Sequence, residues 1–239
     1  SYHFKDSSLF NSNQYIHILE ISPNRQISIV PSPILIETST LSKEIGAKAS
    51  INGSFFKFVA GHNYEDYNSV DYIRLDNTVL APNTYTNNSR AFHQLGAFAI
   101  FNNNYYILKA DCVKDWEKYI RADHIITSGP LLIIDREAQS LKNHTFYTTR
   151  HPRTALAIDK ENNILFITVD GRAKEANGMS LEELMNTFRW LGVKSLLNLD
   201  GGGSTTMYIS GKGVVNHPTD NRLFDNNGER KVANIISVK

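Results

Sequence analysis

The sequence has very little cysteine and almost no excess charge of either sign. Cys112 is the only cysteine among 239 residues, which excludes an intrachain disulfide framework and a cysteine-based zinc site. Lys and Arg total 25, and Asp and Glu total 24, so no overall positive field would attract nucleic acid or an anionic membrane. We therefore predict no nucleic-acid partner and expect any bound anion to be held by local groups.

Long hydrophobic runs are also missing. No stretch of about 18 consecutive apolar residues occurs, so no transmembrane segment is predicted. The numbering begins at Ser1 rather than at a methionine, which suggests that an export signal was removed upstream. We therefore expect an extracytoplasmic protein that is periplasmic, surface-attached or secreted, and the oligomeric state stays open.

The hydrophobic content of 41% is normal for a soluble core. Residues 1–46 are predicted to form strands and a short helix that pack on a main domain of residues 47–239, as one structural unit. Pro31 and Pro33 should end the second strand, because proline removes a backbone donor. The predicted fold class is α+β: a mixed, mainly antiparallel sheet with at least one right-handed strand-helix-strand crossover and a cleft at the strand ends.

A glycine-rich stretch follows one apolar run. The run ends at Asp200, and three glycines and Ser204 come next. Glycine tolerates positive φ, so three in a row can turn successive N–H groups toward one point and bind an anion. Asn198 and Asp200 are two residues apart on the strand and should share a face. An ordinary hairpin turn with solvated polar residues is the alternative.

Two apolar runs around a polar turn predict a β-hairpin. If Ile158 lies opposite Ile164, then Arg153 faces Val169 and lies beside Asp170. The hairpin therefore places a guanidinium near a carboxylate.

A helix is predicted after this hairpin. Ser180 and Glu183 have the spacing of a capping box, and Gly192 is the expected C-terminal signal. The result is a strand-helix-strand unit, which we expect to be a right-handed crossover between two parallel strands. The loops that follow Asp170 and Asp200 should then emerge at one edge of the sheet, where ligands bind in open sheets with helical crossovers.

These arguments predict that Arg153, Asp170, Arg172, Asn198 and Asp200 converge. Guanidinium and backbone N–H groups would hold a phosphate or carboxylate, and two carboxylates would be available as acid, base or nucleophile. The alternative is that each aspartate caps its own loop and each arginine neutralises an aspartate.

Metal binding is a separate question. Two aspartates at strand ends could hold magnesium, but the eight histidines form no HxH or HExxH pattern. We predict no metal site and no other cofactor, with a divalent metal left open.

The run Asn198 to Met207, NLDGGGSTTM, resembles the phosphodiester glycosidase family. Further matches lie at 52–56 (NGSFF), 128–130 (SGP), 169–172 (VDGR) and 230–234 (RKVAN). The resemblance implies hydrolysis of the sugar-phosphate glycosidic bond of a sugar-1-phosphodiester, with an N-acetylglucosamine-1-phosphodiester-like or cell-envelope glycan as substrate. A non-catalytic module that binds phosphorylated glycans is the alternative.

The resemblance also implies a set of site residues. The phosphate would be held by Arg153 and the glycine amides, and Asp170 and Asp200 would be the catalytic carboxylates. Ser54 stands where the family usually has a glycine, and Lys231 where it usually has a proline, so the sugar, the aglycone and the role of each carboxylate stay open. The predicted substrate-binding residues are Asn52, Gly53, Ser128, Gly129, Gly171, Arg172, Asn198, Gly201, Gly202, Gly203, Ser204 and Arg230.

Overall fold

The computed structural model describes residues 2–58, 66–84, 95–110 and 113–239, so Cys112 lies outside the described residues. The helices are α1 (Thr38–Glu44), α2 (Thr145–Thr148) and α3 (Leu181–Trp190), with 3₁₀ turns at 9–11, 116–118 and 202–204. The strands are β1 (Tyr2–Asp6), β2 (Gln14–Ile21), β3 (Ile27–Glu37), β4 (Ala49–Asn52), β5 (Ile73–Leu75), β6 (Thr78–Ala81), β7 (Gly96–Phe101), β8 (Asn104–Lys109), β9 (His124–Ser128), β10 (Leu131–Ile134), β11 (Glu137–Ala138), β12 (Arg153–Ile158), β13 (Ile164–Val169), β14 (Ser195–Asn198), β15 (Met207–Ile209), β16 (Gly213–Val214) and β17 (Lys231–Val238).

The strands form three sheets. The first has seven strands in the order β1-β2-β13-β12-β14-β10-β11, the second has the order β16-β15-β4-β17-β3, and the third has the order β6-β5-β9-β7-β8. Every strand pair in the described part of the chain is antiparallel. The mainly antiparallel α+β character is confirmed, but the strands are divided among three sheets.

The predicted hairpin has the expected register. Ile158 pairs with Ile164, and Arg153 pairs with Val169. On the other side of β12, Ala155 pairs with Asn198 of β14. Strands β13 and β14 therefore run in the same direction on either side of β12, rather than as a hydrogen-bonded parallel pair. Helix α3 connects them, and the handedness of that connection stays a prediction.

Helix α3 begins and ends as its sequence predicts. The Ser180 side chain accepts from the Glu183 N–H, and the Glu183 carboxylate accepts from the Ser180 N–H, which completes the capping box. Gly192 follows the helix with a positive φ of 75°, the conformation that favours glycine at a helix C-terminus. Leu184 and Phe188 are fully buried against the first sheet.

The main core lies between the three sheets and includes Phe98, Leu156, Phe166 and Ile236. A second core fills the space between the first sheet and the helices α2 and α3. Alternation along β12 and β13 separates the two, because Leu156 and Phe166 face the main core while Ala155 and Ile167 face the helices.

The N-terminal strands are part of the first and second sheets. Strand β2 pairs with six residues of β13, and β3 pairs with β17. Strand β3 continues through Pro31 and Pro33, so the prediction that these prolines end it was wrong. It lies at the edge of its sheet, where a missing donor is tolerated. Among the described residues, we find no helix with the length and apolar character needed to cross a membrane.

Candidate active site

The loops after β13 and β14 meet at the start of β12, as predicted. The Gly202 N–H donates to the Pro152 carbonyl over 2.9 Å. A Cβ on Gly171 would lie 2.8 Å from the Pro152 nitrogen, and one on Gly201 would lie 2.7 Å from the Pro152 carbonyl oxygen. Both loops therefore pack against the backbone of Pro152, and only glycine allows that approach.

Asn52 ties this edge to the second sheet. Its Oδ1 accepts from the Thr154 hydroxyl over 2.8 Å and from the Thr206 N–H over 3.1 Å. Its Nδ2 donates to the Asp200 carbonyl over 2.6 Å. Asn52 is 1% exposed, and these three hydrogen bonds engage both the oxygen and the nitrogen of its side-chain amide. The geometry therefore supports a structural role, in which Asn52 positions Asp200.

Gly53 and Asn234 join the end of β4 to the irregularity within β17. The Gly53 N–H donates to the Asn234 carbonyl over 3.0 Å, and the Ser54 N–H donates to Asn234 Oδ1 over 2.8 Å. A Cβ on Gly53 would lie 2.0 Å from Asn234 Oδ1. The Gly53 carbonyl in turn accepts from the Asp200 N–H over 3.0 Å. The contact between Gly53 and Asn234 therefore also holds the backbone of Asp200 in place.

Asn198 connects β14 to the Ser128-Gly129-Pro130 segment. Its Nδ2 donates to the carbonyls of Gly129, over 2.9 Å, and Leu199, over 2.8 Å. Asn198 Oδ1 and Ser128 Oγ are buried and have no hydrogen-bond partner in the described part of the chain. Asn198 and Gly129 are therefore joined by a hydrogen bond two residues before Asp200, and Ser128 is the neighbour of Gly129 in the chain.

Arg153 is a buried arginine that binds backbone carbonyls. Its Nε donates to Met179 over 2.9 Å, and its Nη2 donates to Phe146 over 3.0 Å and Thr149 over 2.9 Å. Burial, followed by the charge of Arg172, lowers the pKa of Arg153 to about 10. Only Nη1 makes no hydrogen bond within the described residues, so one edge of the guanidinium remains for an anion.

Asp170 is fully buried and saturated with hydrogen bonds. Its Oδ2 contacts His17 Nε2 at 3.0 Å and His217 Nδ1 at 2.7 Å, and its Oδ1 accepts from Asn216 Nδ2 over 3.1 Å and from the His217 N–H over 3.0 Å. Burial raises the pKa of Asp170, but hydrogen bonds from His17 and His217 outweigh it and lower the pKa to about 2.

The expected convergence of the Arg153 and Asp170 side chains is contradicted by the structure. Arg153 pairs with Val169, and directly paired residues point to the same face of a sheet. Asp170 is the next residue and points to the opposite face, because side chains alternate along a strand. Arg153 therefore lies with α2 and α3, whereas Asp170 lies with His17 and His217. The catalytic role predicted for Asp170 stays a prediction.

Asp200 is the carboxylate best suited to chemistry. It is partly exposed, and burial raises its pKa to about 6 against smaller opposing effects of the Ser204 hydroxyl, the Arg230 charge and the Gly201 N–H. The charge of Asp71 raises the pKa further. Asp71 is a fully buried carboxylate whose Oδ2 accepts from the Phe55 N–H; the sequence analysis missed it because it follows no motif.

A cluster of basic groups lies next to the glycine loop. The Arg172 guanidinium lies 3.1 Å from the position of a Cβ on Gly202, and its Nη2 is 3.5 Å from His151 Nδ1. Burial lowers the pKa of His151, and the charges of Arg153 and Arg172 lower it further. Arg172 makes no ion pair within the described residues, and it has a positive φ of 61°, which is unusual for a bulky residue. The two guanidinium charges repel each other, and an anionic ligand between them would relieve that repulsion.

Arg230 lies on the far side of the loop. It forms an ion pair with Asp220 and stacks over Phe58, with its Cζ 5.0 Å from the ring centroid. A Cβ on Gly203 would lie 2.6 Å from Arg230 Nη2. Gly203 therefore allows the ion pair to approach the loop backbone.

The glycine loop is not the open nest of N–H groups that the sequence predicts. Residues 202–204 form a 3₁₀ turn in which the Ser204 N–H donates to the Gly201 carbonyl and the Thr205 N–H donates to the Gly202 carbonyl. The Gly202 N–H donates inward to Pro152. Because the Gly202 amide is already used, the loop offers an anion fewer N–H groups than predicted, and side chains must supply the rest of its binding.

One group of residues could hold a metal ion. His17, Asp170 and His217 each offer one ligand atom, and these atoms lie within 4.8 Å of one another. Sequence reasoning missed the two histidines because they are 200 residues apart and form no spaced motif.

Comparison with known proteins agrees with this architecture. A family model described as phosphodiester glycosidase matches residues 45–239. The chain belongs to this family.

The individual relatives of this chain are distant in sequence. It is 33% identical over 75 residues, 31% of the chain, to the N-acetylglucosamine-1-phosphodiester alpha-N-acetylglucosaminidase of Mus musculus. It is 33% identical over 90 residues, 37% of the chain, to the SPbeta prophage-derived uncharacterized protein YomE of Bacillus subtilis. The matches span only 14% of each of those proteins.

Solved structures share the fold. The zebrafish N-acetylglucosamine-1-phosphodiester alpha-N-acetylglucosaminidase catalytic domain, auto-inhibited by its pro-peptide, superimposes with a TM-score of 0.70 at 19% identity, over 99% of this chain and 81% of that one. A hypothetical protein from Synechocystis gives a TM-score of 0.64 at 16% identity, over 98% and 60% of the two chains.

Proposed function

We propose that this protein hydrolyses the bond between the anomeric carbon and the phosphate oxygen of a sugar-1-phosphodiester. The observation that carries the proposal is a basic cluster, formed by His151, Arg153 and Arg172, at the same sheet edge as the partly exposed carboxylate of Asp200. A phosphodiester supplies the anion for the cluster, and the adjacent glycosidic bond is the bond that a carboxylate can help to break.

Arg172 and the free Nη1 of Arg153 bind the phosphate in this proposal. Arginine suits that role because its planar guanidinium can form two parallel hydrogen bonds to phosphate oxygens. Arg153 is locked by three backbone carbonyls, so it is held in place before the substrate arrives. Arg172 is exposed and provides the second contact.

Asp200 acts in its ionised form, as base for the attacking water or as nucleophile at the anomeric carbon. In the hydrolysis, the oxygen of water bonds to the anomeric carbon, and the electron pair of the broken bond stays on the phosphate oxygen. The leaving group is a phosphate monoester, a weak base that departs without a proton, so the ionised carboxylate is the more useful form. The raised pKa of Asp200 keeps it basic enough to accept a proton near neutral pH.

Turnover tests the proposal directly. The substrate is the methyl diester of α-N-acetylglucosamine-1-phosphate, with the corresponding glucose and galactose diesters beside it, and the product is measured as reducing sugar. We expect kcat/KM to rise with pH to a plateau above about pH 6, the pKa of Asp200. Asp200→Asn should lower kcat by about 100-fold or more, whereas Asp76→Asn, at a side chain that is 89% exposed, should leave it unchanged.

Substitution of Arg172 tests its proposed contact with the phosphate. We expect kcat/KM to fall by about 10-fold in Arg172→Lys and by about 100-fold in Arg172→Gln, because lysine keeps the charge but loses the paired hydrogen bonds. Arg189→Gln, at an exposed residue in the last turn of α3, is the matched control. Equal kinetics for the Arg172 and Arg189 variants would remove Arg172 from the site.

The basic cluster by itself also fits a non-catalytic module that binds phosphorylated glycans. Binding of the three diesters without release of reducing sugar would favour this second function. The extracytoplasmic location expected from the sequence remains a prediction alongside either function.

A further inference from the structure

We propose that His17, Asp170 and His217 form a binding site for one divalent transition-metal ion of the zinc type. The Asp170 Oδ2 lies 3.0 Å from His17 Nε2 and 2.7 Å from His217 Nδ1, and the three atoms lie within 4.8 Å of one another. Two imidazole nitrogens and one carboxylate oxygen are a common ligand set for zinc, with a fourth position for water. The inference does not depend on the proposed hydrolysis.

The surrounding residues orient the ligands in the way that metal sites require. Asp170 Oδ1 accepts from Asn216 Nδ2 and from the His217 N–H, so hydrogen bonds engage that oxygen and turn Oδ2 toward the histidines. Asn216 is itself held, because its Oδ1 accepts from the Met207 N–H over 2.7 Å. Such outer contacts fix a carboxylate ligand in place.

His3 completes this outer shell. His3 Nδ1 lies 2.7 Å from His17 Nδ1. His17 can donate either its Nε2 proton to Asp170 or, in the other tautomer, its Nδ1 proton to His3. In the second tautomer His17 Nε2 carries a lone pair that faces the Asp170 carboxylate. His17 Nε2 and Asp170 Oδ2 are then two acceptors that lie 3.0 Å apart and need a cation between them. A histidine that ligates a metal commonly donates its other ring N–H to an outer partner.

The negative charge of Asp170 also favours a bound cation. Asp170 is completely buried, and a buried carboxylate needs a cation. The carboxylates of Asp220 and Glu183 pair with Arg230 and Arg150, whereas Asp170 has no Lys or Arg ion-pair partner within residues the structure describes. The cation is therefore either a metal ion or a protonated histidine, and a metal titration distinguishes the two.

An ion could reach the site from the His217 side. The His217 side chain is 18% exposed, whereas those of His17 and Asp170 are 1% and 0% exposed. The ring of Phe224 stacks on His217 at a centroid distance of 3.9 Å, and the ring of Tyr15 lies 5.1 Å from His17 and 5.2 Å from His217. These aromatic rings form an apolar wall that limits water at the ion.

Cobalt(II) titration of the chelator-treated whole chain tests the proposal, because four-coordinate Co²⁺ absorbs strongly in the visible. We expect one Co²⁺ per chain, displaced by one Zn²⁺. His17→Gln and His217→Gln each remove a ligand but keep an N–H donor, and should weaken binding by about 100-fold or more. His3→Gln removes only an outer partner and should weaken it by about 10-fold.

His124→Gln is the matched control, because His124 forms an isolated pair with Asp76 at 3.8 Å and no third ligand. Far-UV circular dichroism of each variant checks that it folds. A wild-type chain that binds less than one Co²⁺, or that binds it as well in both His17→Gln and His217→Gln, would overturn the proposal and assign the histidines as proton donors to Asp170. If either variant fails to fold, Asp170→Asn, which keeps the side chain's size, repeats the measurement.

Discussion

The Asp200 carboxylate destabilises the folded protein when it ionises. Its pKa is about 6 in the folded state against an ordinary value of 3.8, so the folded state binds the proton more tightly than the unfolded state. Stability therefore falls as the pH rises from about 4 to about 6, and the loss is complete above that range. Under the proposed function, this loss of stability accompanies the use of Asp200 in chemistry.

Because the ionised Asp200 lowers the stability of the folded protein, Asp200→Asn should change how stability depends on pH. At pH 7.5 the variant should be more stable than the wild type by about 2 kcal/mol, because asparagine fills the same space without the buried charge. At pH 4 the two proteins should unfold together. Urea unfolding at both pH values measures the difference. Asp76→Asn, which keeps Asp200, is the control, and a less stable Asp200→Asn protein at pH 7.5 would mean that the carboxylate is structural.

At the scale of single elements, the site depends on where strands end. The Asn52 amide joins the end of β4 to the start of β12 and to the loop after β14, and the Asn234 amide joins the residue after Gly53 to the interior of β17. Gly53 lies at the centre of this joint, because its carbonyl accepts from the Asp200 N–H. A small shift at Gly53 would therefore move Asp200.

Gly53→Ala tests that joint. The new methyl group would lie 2.0 Å from Asn234 Oδ1 and 3.2 Å from the Asn234 carbonyl oxygen, so either the amide or the strand must move. We expect a loss of about 3 kcal/mol in unfolding free energy, together with lower turnover.

The matched control is Gly211→Ala. Gly211 has a φ of 78° and nothing within 4 Å of its added Cβ, so only backbone strain of about 1 kcal/mol is expected. Equal losses of stability in the two variants would show that the Asn234 contact is not tight.

At the scale of the whole molecule, the N-terminal segment is part of the core although the family match begins at residue 45. Strands β2 and β3 contribute five buried isoleucines to the two main cores. Each buried isoleucine is worth about 2 kcal/mol, so the five together are comparable to the whole stability of a typical domain, about 5–15 kcal/mol.

Truncation tests this prediction. A chain that starts at residue 45 should fail to fold, because β13 and β17 lose their neighbours in the sheets. A chain that starts at residue 7 should fold, because it loses only β1, whose five residues are all exposed. Circular dichroism and gel filtration of both proteins measure the result, and a folded, monomeric chain from residue 45 would show that the N-terminal strands are dispensable.

Features that depend on neighbouring residues could be predicted from the sequence. The register of the β12–β13 hairpin follows from alternation around a short turn, and α3 follows from its capping box. Pro31 and Pro33 were misread because sequence does not show whether a strand lies at an edge, where proline is tolerated. The inward use of the Gly202 N–H was not predicted because its acceptor, Pro152, comes from a distant part of the chain.

The sequence by itself determined the family, the meeting of the loops after Asp170 and Asp200, and the helix between them, because short-range patterns control all three. Only the tertiary structure decided which side chains share an environment. Arg153 and Asp170 lie on opposite faces because Asp170 follows, rather than faces, the partner of Arg153. His17 and His217 meet at Asp170 because β2 pairs with β13 while the segment after β16 packs against its end, and contacts across 200 residues leave no local pattern to read.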